Sequence, residues 1–214
     1  MSSAQDGDLE PEPPEAAAVF GDRIDVVRRF TADLAEHGEI RGLIGPVELP
    51  RLWSRHVVNS GLLAPFLPRG ASVADVGSGA GLPGLVLAAA RPDLRVTLIE
   101  PMERRTAWLE EERDRLGLAN VLVERARAEE APRGRFDVVT ARAVGALATL
   151  LPITAPLARP GGRLALLKGA SVEAELARAE KVVRRLRLQD AHVEIAGRGM
   201  ASLETRVLVA TVPA

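Results

Sequence analysis

The sequence predicts an α/β fold: an N-terminal helical segment, then a Rossmann-like sheet of seven strands, parallel for five and closing in an antiparallel hairpin. Three observations predict it. After residue 70, short apolar runs alternate with helix-period segments. A glycine cluster follows the first of those runs. The last two runs are joined by a short loop that leaves no room for a crossover helix. With 214 residues the chain can bury one good-sized core.

Residues 1–15, "MSSAQDGDLEPEPPE", are acidic and proline-rich and read as a disordered tail. Residues 16–69 read as the helical segment. In "AAAVFGDRIDVVRRFTADLAEHG", Val19, Phe20, Ile24, Val27, Phe30 and Leu34 recur at helical spacing. "RGLIGP" breaks that helix, and "ELPRLWSRHVVNSGLLAPFL" reads as a second, ending before Pro68.

The sheet domain spans 70–214. "SVADVG" is the first strand and "LPGLVLAAAR" a helix that tolerates Pro83 in its first turn. "RVTLIE" is the second strand, and the helix "MERRTAWLEEERDRLG" closes on Gly117. "NVLVER" and "RFDVVTAR" are the third and fourth strands, the latter followed by the helix "VGALATLLPITAPLA". "GGRLALLKG" is the fifth strand, entered through a Pro160-Gly161-Gly162 turn, and "SVEAELARAEKVVRRLR" the last helix. "AHVEIAG" and "ETRVLVATV" form the hairpin. Five parallel strands and a terminal hairpin are the pattern of S-adenosylmethionine (SAM)-dependent methyltransferases. A dehydrogenase domain would continue with another crossover helix.

Composition narrows the chemistry. The chain is 47% hydrophobic and 27% charged, as globular proteins are. No apolar run approaches the roughly 20 residues of a membrane span. The acidic N-terminus is unlike a signal peptide, and cytoplasmic residence is the expectation. There is no cysteine, which excludes disulfides, thiolate metal sites and a Cys nucleophile; no metal site is expected. Residues 1–15 hold five of the 29 acids and none of the 28 Lys and Arg. The remainder is therefore mildly basic, which suits an anionic partner without requiring one.

"VADVGSGAGLPGL" can be parsed two ways. Gly79-x-Gly81-x-x-Gly84 matches the dinucleotide fingerprint, but starts two residues after the strand. Begun at Gly77, the sixth position is Leu82. The SAM register fits better. Asp75 precedes the glycines, where a carboxylate can meet the cationic methionine portion and would repel a pyrophosphate. Glu100 follows the second strand, where a carboxylate can accept from both ribose hydroxyls. "RAEE" follows the third strand, where Ala128 leaves room for an adenine ring and Glu129 or nearby backbone can meet its amine. At the end of the fourth strand, "VVTARAVG" lacks the Asn-Pro-Pro-aromatic motif of amino-group methyltransferases. What remains is an acceptor that is already nucleophilic, such as guanine N7, which needs alignment more than a base. Arg142 can orient phosphate or the guanine acceptors N7 and O6.

Four ordered segments resemble the bacterial small-subunit ribosomal RNA methyltransferase G family (RsmG, also called glucose-inhibited division protein B). They are "LWSRHVVNS", "DVGSGAGLPGL", "TARAV" and "LLKG". Asn59 stands where the family usually has Asp, which removes a charge that could pair with Arg55. The resemblance implies methyl transfer from SAM to N7 of a guanosine in the decoding region of 16S rRNA, or of the small subunit that carries it. It implies SAM contacts at Gly77 and Leu82, around Glu100, at Ala128 and Glu129, and at Arg142. Gly79, Gly81, Pro101 and Met102 lie within the same segments and join Asp75 in that set. Arg55, His56 and Lys168 fall in family motifs on the substrate side, with Arg142, Lys168 and His56 as positioning groups.

A basic run, "KVVRRLR", places Lys181, Arg184 and Arg185 on one helix as candidates for rRNA phosphate. With 3% aromatic residues, extensive base stacking is not expected. A monomer is the simplest expectation. Three other readings stay open on the residues: a methyltransferase for another RNA, a protein or a small molecule, a NAD-dependent oxidoreductase, and a non-catalytic RNA-binding module.

Overall fold

The computed structural model describes residues 9–214 except 46, 143, 144, 201 and 202. The helices are α1 (Glu15–Phe20), α2 (Ile24–His37), α3 (Asn59–Gly61), α4 (Gly84–Ala90), α5 (Glu103–Leu116), α6 (Leu147–Thr154), α7 (Val172–Arg178) and α8 (Glu180–Arg185). The strands are β1 (Ser72–Val76), β2 (Arg95–Ile99), β3 (Val121–Glu124), β4 (Phe136–Arg142), β5 (Ala158–Lys168), β6 (Gln189–Ala196) and β7 (Thr205–Thr211).

All seven strands form one sheet in the order β3-β2-β1-β4-β5-β7-β6. β1 to β5 are parallel, and β7 runs antiparallel to both β5 and β6. The chain reverses its direction of winding between β1 and β4. In open α/β sheets, ligands bind at that reversal, outside the carboxyl ends of the strands. Gly77, Glu100, Arg142 and Lys168 all lie at those ends.

Two apolar layers cover the sheet. On one face, Leu85, Leu87, Trp108 and Leu109 from α4 and α5 pack with Val73, Val96 and Leu98. Ala16, Phe20, Val27, Phe30, Leu34, Leu52 and Leu63 belong to that same cluster. The N-terminal segment is therefore an outer layer on the sheet domain, sharing its core. On the other face, Leu147, Leu150 and Leu151 of α6 and Val172 of α7 cover Val76, Val139, Leu166 and Leu208.

The N-terminal segment differs from the expected tail and two helices. Residues 9–15 are ordered, and residues 1–8 of the expected tail lie outside the described residues. Two acids of this stretch, Glu10 and Glu12, find partners. Glu10 donates its N–H to the Leu49 carbonyl (3.0 Å) and accepts from the Ser54 N–H (2.9 Å), and Glu12 pairs with Arg28 at 2.7 Å. A turn at Gly21–Arg23 splits the first helix into α1 and α2. The second expected helix is a 3-10 turn (Leu49–Arg51), a π-helical stretch (Leu52–Val58), the short α3 and another 3-10 turn (Ala64–Phe66). Pro50 and Pro65 lie in the 3-10 turns and lack the N–H that an α-helix interior requires. The last helix is likewise two, broken at the buried Ala179. β5 begins at Ala158, and the Pro160–Gly162 turn is an irregularity in its pairing with β4.

Candidate active site

The glycine loop joins β1 to α4 and is sewn to the neighbouring strand end. The N–H groups of Gly77 and Ser78 both donate to the Ile99 carbonyl, at 2.9 and 3.3 Å. Glu100, with 2% of its surface exposed, closes the crevice. Its Oε2 accepts from the Gly79 N–H and its Oε1 from the Met102 N–H, each at 3.0 Å. Each carboxylate oxygen keeps a second lone pair for a ligand hydroxyl. Gly79 has φ +54°, and a Cβ there would meet nothing closer than the Gly77 carbonyl at 3.7 Å, so the loop's face is bare. Gly77 and Gly81 also have positive φ, and Leu82 is buried beside them. Pro101 and Met102 are exposed next to Glu100.

Asp75 has a different place from the one expected. It is fully buried, and its Oδ2 accepts from the Gly84 N–H at the start of α4 (3.0 Å). Burial, and after it the Ser78 and Gly84 hydrogen bonds that oppose it, leave its carboxyl raised to about 7. A carboxylate without exposed surface braces the loop and does not itself meet a ligand in this arrangement. Its Oδ1 has no partner. Gly84 is required by this packing: a Cβ would lie 2.2 Å from Leu98 and 2.6 Å from Asp75 Oδ2. The third glycine of the late-register fingerprint thus serves helix–strand packing.

Sequence reasoning missed one brace. The Trp108 Nε1–H, from α5, donates to the Ala80 carbonyl at 3.0 Å. Nothing in the spacing of α5 marks that indole apart from other core residues. Ala128 and Glu129 line a cavity of about 40 Å³ with Arg133, Pro152 and Pro156, on the α6 side of the sheet.

A larger cleft, of about 560 Å³, opens at the carboxyl ends of β4 and β5. Ser54, Arg55 and Asn59 line it from the N-terminal segment, and Arg142, Lys168 and Arg206 from the sheet. The Lys168 Nζ donates to the Gly145 carbonyl and pairs with Glu175, both at 2.8 Å, so its ammonium is held in place. Arg142 is largely buried. Burial, and next the charge of Arg55, bring its guanidinium down to about 10. Two guanidiniums that repel each other in a half-desolvated cleft are a receptor for an anion. His56 lies against Arg142, with its backbone carbonyl accepting from Arg142 Nη1 at 3.4 Å. Ser54 and Arg206 are new members of the site. Arg206 lies on β7 opposite Lys168, a cross-strand neighbour set by the hairpin register.

The basic helix is elsewhere. α8 leads into Gln189, which pairs with Thr211, which in turn pairs with Arg163 at the entry of β5. Lys168 is at the opposite end of that strand. Lys181, Arg184 and Arg185 therefore do not join Arg55, Arg142 and Lys168 in the cleft.

The donor set fits SAM. Glu100 places a carboxylate where ribose hydroxyls can bind, beside a loop whose face is bare at Gly79. No group of three or more His, Asp or Glu suited to a metal occurs among the described residues, and no described helix is long and apolar enough to cross a membrane.

Known proteins resemble the chain along most of its length. Residues 23–204 match the model of the rRNA small subunit methyltransferase G family, GidB. The ribosomal RNA small subunit methyltransferase G of Clavibacter michiganensis subsp. michiganensis is 57% identical, over 95% of this chain and 97% of its own. Its counterpart in Leifsonia xyli subsp. xyli is 56% identical, over 95% and 98%. Among solved structures, the tRNA (m1A58) methyltransferase TrmI of Aquifex aeolicus superposes with a TM-score of 0.58 at 15% identity, covering 73% of this chain and 69% of its own. The 1,6-didemethyltoxoflavin-N1-methyltransferase of Burkholderia thailandensis, solved with S-adenosylhomocysteine, gives 0.54 at 20%, covering 95% and 92%. These two share the fold. SAM is the cofactor that the fold and family carry. From the family model and the curated relatives, the chain belongs to the rRNA small subunit methyltransferase G family.

Proposed function

We propose that the protein transfers the methyl group of SAM to N7 of a guanosine in the decoding region of 16S rRNA. One observation carries the reading: the glycine loop with Glu100 and the cationic cleft of Arg55, Arg142 and Lys168 open at the same carboxyl edge of one sheet. When bound, SAM supplies an electrophilic methyl group. Glu100 would hold its ribose, Gly77, Gly79, Gly81 and Leu82 its face of the crevice, and Pro101 and Met102 the rim. Ala128 and Glu129 would meet the adenine only across the turn that follows β3.

Guanine N7 brings its own lone pair, and the product is a cation, so no side chain has to remove a proton during transfer. The chain's work is placement. Arg142 and Arg55 would hold phosphate or the guanine O6 edge, and Lys168, fixed by Glu175 and Gly145, would set the depth of the base. The absence of an Asn-Pro-Pro segment after β4 agrees with an acceptor that needs no polarised amine. Lys181, Arg184 and Arg185 would contact rRNA phosphate outside the cleft. We further read the protein as cytoplasmic, in keeping with a small-subunit rRNA substrate, and as acting as a monomer.

Purified protein, labelled SAM and small-subunit rRNA from cells lacking this methylation test the reading. Label should appear at a guanine N7 and be lost in Lys168→Ala. No label beside an active control methyltransferase sinks it.

A further inference from the structure

Glu48 lies outside the four family-like segments, immediately before the Leu49–Arg51 turn. Its carboxylate accepts from Arg51 twice, Nη2 to Oε1 at 2.6 Å and Nε to Oε2 at 3.0 Å. Oε2 also lies 2.5 Å from Nε2 of His56. Across the same imidazole, Nδ1 meets Nη2 of Arg142. A guanidinium has donors only, so Nδ1 must accept. The ring proton then sits on Nε2, where Glu48 accepts it. That state is the neutral imidazole. It agrees with the downward shift of His56, caused first by burial and then by the Arg142 charge.

We propose that Glu48 is a positioning residue for methyl transfer: it holds His56 as the Nε2–H tautomer and thereby fixes the guanidinium of Arg142 in the cleft. The proposal rests on the reading of Arg142 as a group that faces the acceptor. Without Glu48 the imidazole can place its proton on Nδ1, which would then point N–H at N–H and push Arg142 off its place. His56 and Arg142 are 86 residues apart, one in the π-helical stretch and the other at the end of β4. The contact is thus how the N-terminal layer sets a residue of the sheet. A second shell of this kind orients a group that meets substrate without touching substrate itself.

The chain has three histidines, so nitrogen-resolved NMR of the full-length protein can read the His56 tautomer with His37 and His192 as references. Nε2–H is expected in the wild type, and a shift toward Nδ1–H in Glu48→Ala. In rRNA methylation, Glu48→Ala should lower kcat by about 10- to 100-fold, the cost of a misplaced positioning group. Its S-adenosylhomocysteine Kd should stay within about two-fold. Glu48→Gln, whose amide oxygen can still accept from Nε2–H, should keep most of the activity. In an Arg142→Ala background, Glu48→Ala should add no further loss.

The proposal is overturned if the wild type shows Nδ1–H, or if folded Glu48→Ala keeps its kcat. It is also overturned if the Glu48→Ala loss appears in full in the Arg142→Ala background. Should Glu48→Ala not fold, the wild-type tautomer and Glu48→Gln, expected active, decide the matter on the same terms. A wild type that methylates no rRNA overturns the function reading instead, while the tautomer still decides whether Glu48 sets His56.

Discussion

The indole N–H of Trp108 donates to the carbonyl of Ala80 across 3.0 Å, tying the middle of α5 to the tip of the glycine loop. The ring is fully buried, the Arg41 guanidinium lies 5.3 Å over it, and His37 meets its edge. The N-terminal layer thus reaches the cofactor loop through one side chain. Trp108→Phe keeps most of the apolar ring and removes the donor. It should cost about 1–2 kcal/mol of stability, read by urea unfolding, because a buried carbonyl loses its partner. S-adenosylhomocysteine affinity should fall with it, by up to about ten-fold in calorimetry. Unchanged stability and affinity would show that the contact does not hold the loop.

Two glycines of the loop should respond differently to the same methyl group. Gly84→Ala drives a Cβ into Leu98 and Asp75, both buried, and should cost about 2–3 kcal/mol or prevent folding. Gly79→Ala meets open space and pays only for its φ of +54°, about 1–2 kcal/mol. It should fold and yet bind S-adenosylhomocysteine more weakly, since its methyl group lies on the bare face. Thermal melting with and without the ligand separates the two.

Stability should fall as pH rises through the range of two buried acids. Glu112 on α5 is fully buried, both its oxygens lack hydrogen-bond partners, and burial, then the nearby Asp33, raise its carboxyl to about 7. The unfolded chain releases that proton near 4.5, so between about 4.5 and 7 the native state binds more protons and loses stability with rising pH. Asp75, raised to about 7 chiefly by burial, acts in the same direction from about 4 upward. Glu112→Gln cannot titrate. Its stability relative to wild type should climb through that window and level off above pH 7, at about 1–3 kcal/mol over its value at pH 4. Urea unfolding at pH 4, 6 and 8 measures this, and a difference independent of pH would refute it.

The cleft should sort cofactor binding from substrate use. Lys168→Met and Arg55→Ala leave the glycine loop and Glu100 untouched, so S-adenosylhomocysteine affinity should hold. In steady-state methylation, kcat/KM for small-subunit rRNA should drop about 100-fold for Lys168→Met, because a fixed positioning charge is lost. Equal losses of cofactor affinity would place Lys168 in the wrong half of the site.

The α8 cluster should behave as an electrostatic surface. If Lys181, Arg184 and Arg185 each neutralise a phosphate, the triple alanine variant binds rRNA more weakly and its log–log salt slope becomes shallower by about 2–3. kcat at saturating rRNA should not move, since the helix lies away from the cleft. A slope unchanged from wild type would mark these residues as ordinary solvated surface.

The succession of helices and strands along the chain, and the hairpin that ends it, were legible in the sequence, because both are written locally. Alternating apolar periods place helices and strands, and a loop without a crossover helix forces the final hairpin. Asp75 before Gly77 and Glu100 after the next strand could be picked out by position, but only the fold shows that Asp75 is buried against Gly84 and that Glu100 holds the loop through Gly79. The π-helical stretch was not legible, since the prolines and apolar spacing of 48–67 suit several helical forms and the stretch packs on α2, which is distant in sequence. The pairing of Glu10 with Ser54 and of Glu12 with Arg28, and the late glycine's role beside Asp75, also depend on residues distant in the chain. The same holds at the cleft. Arg55, His56, Arg142 and Lys168 could each be named from short motifs. The line from Arg51 through Glu48 and His56 to Arg142, and Arg206 across from Lys168, could not. Hydrogen-bond partners 86 residues apart and a cross-strand register are properties of the folded sheet, where chain segments without local relation are brought within contact distance.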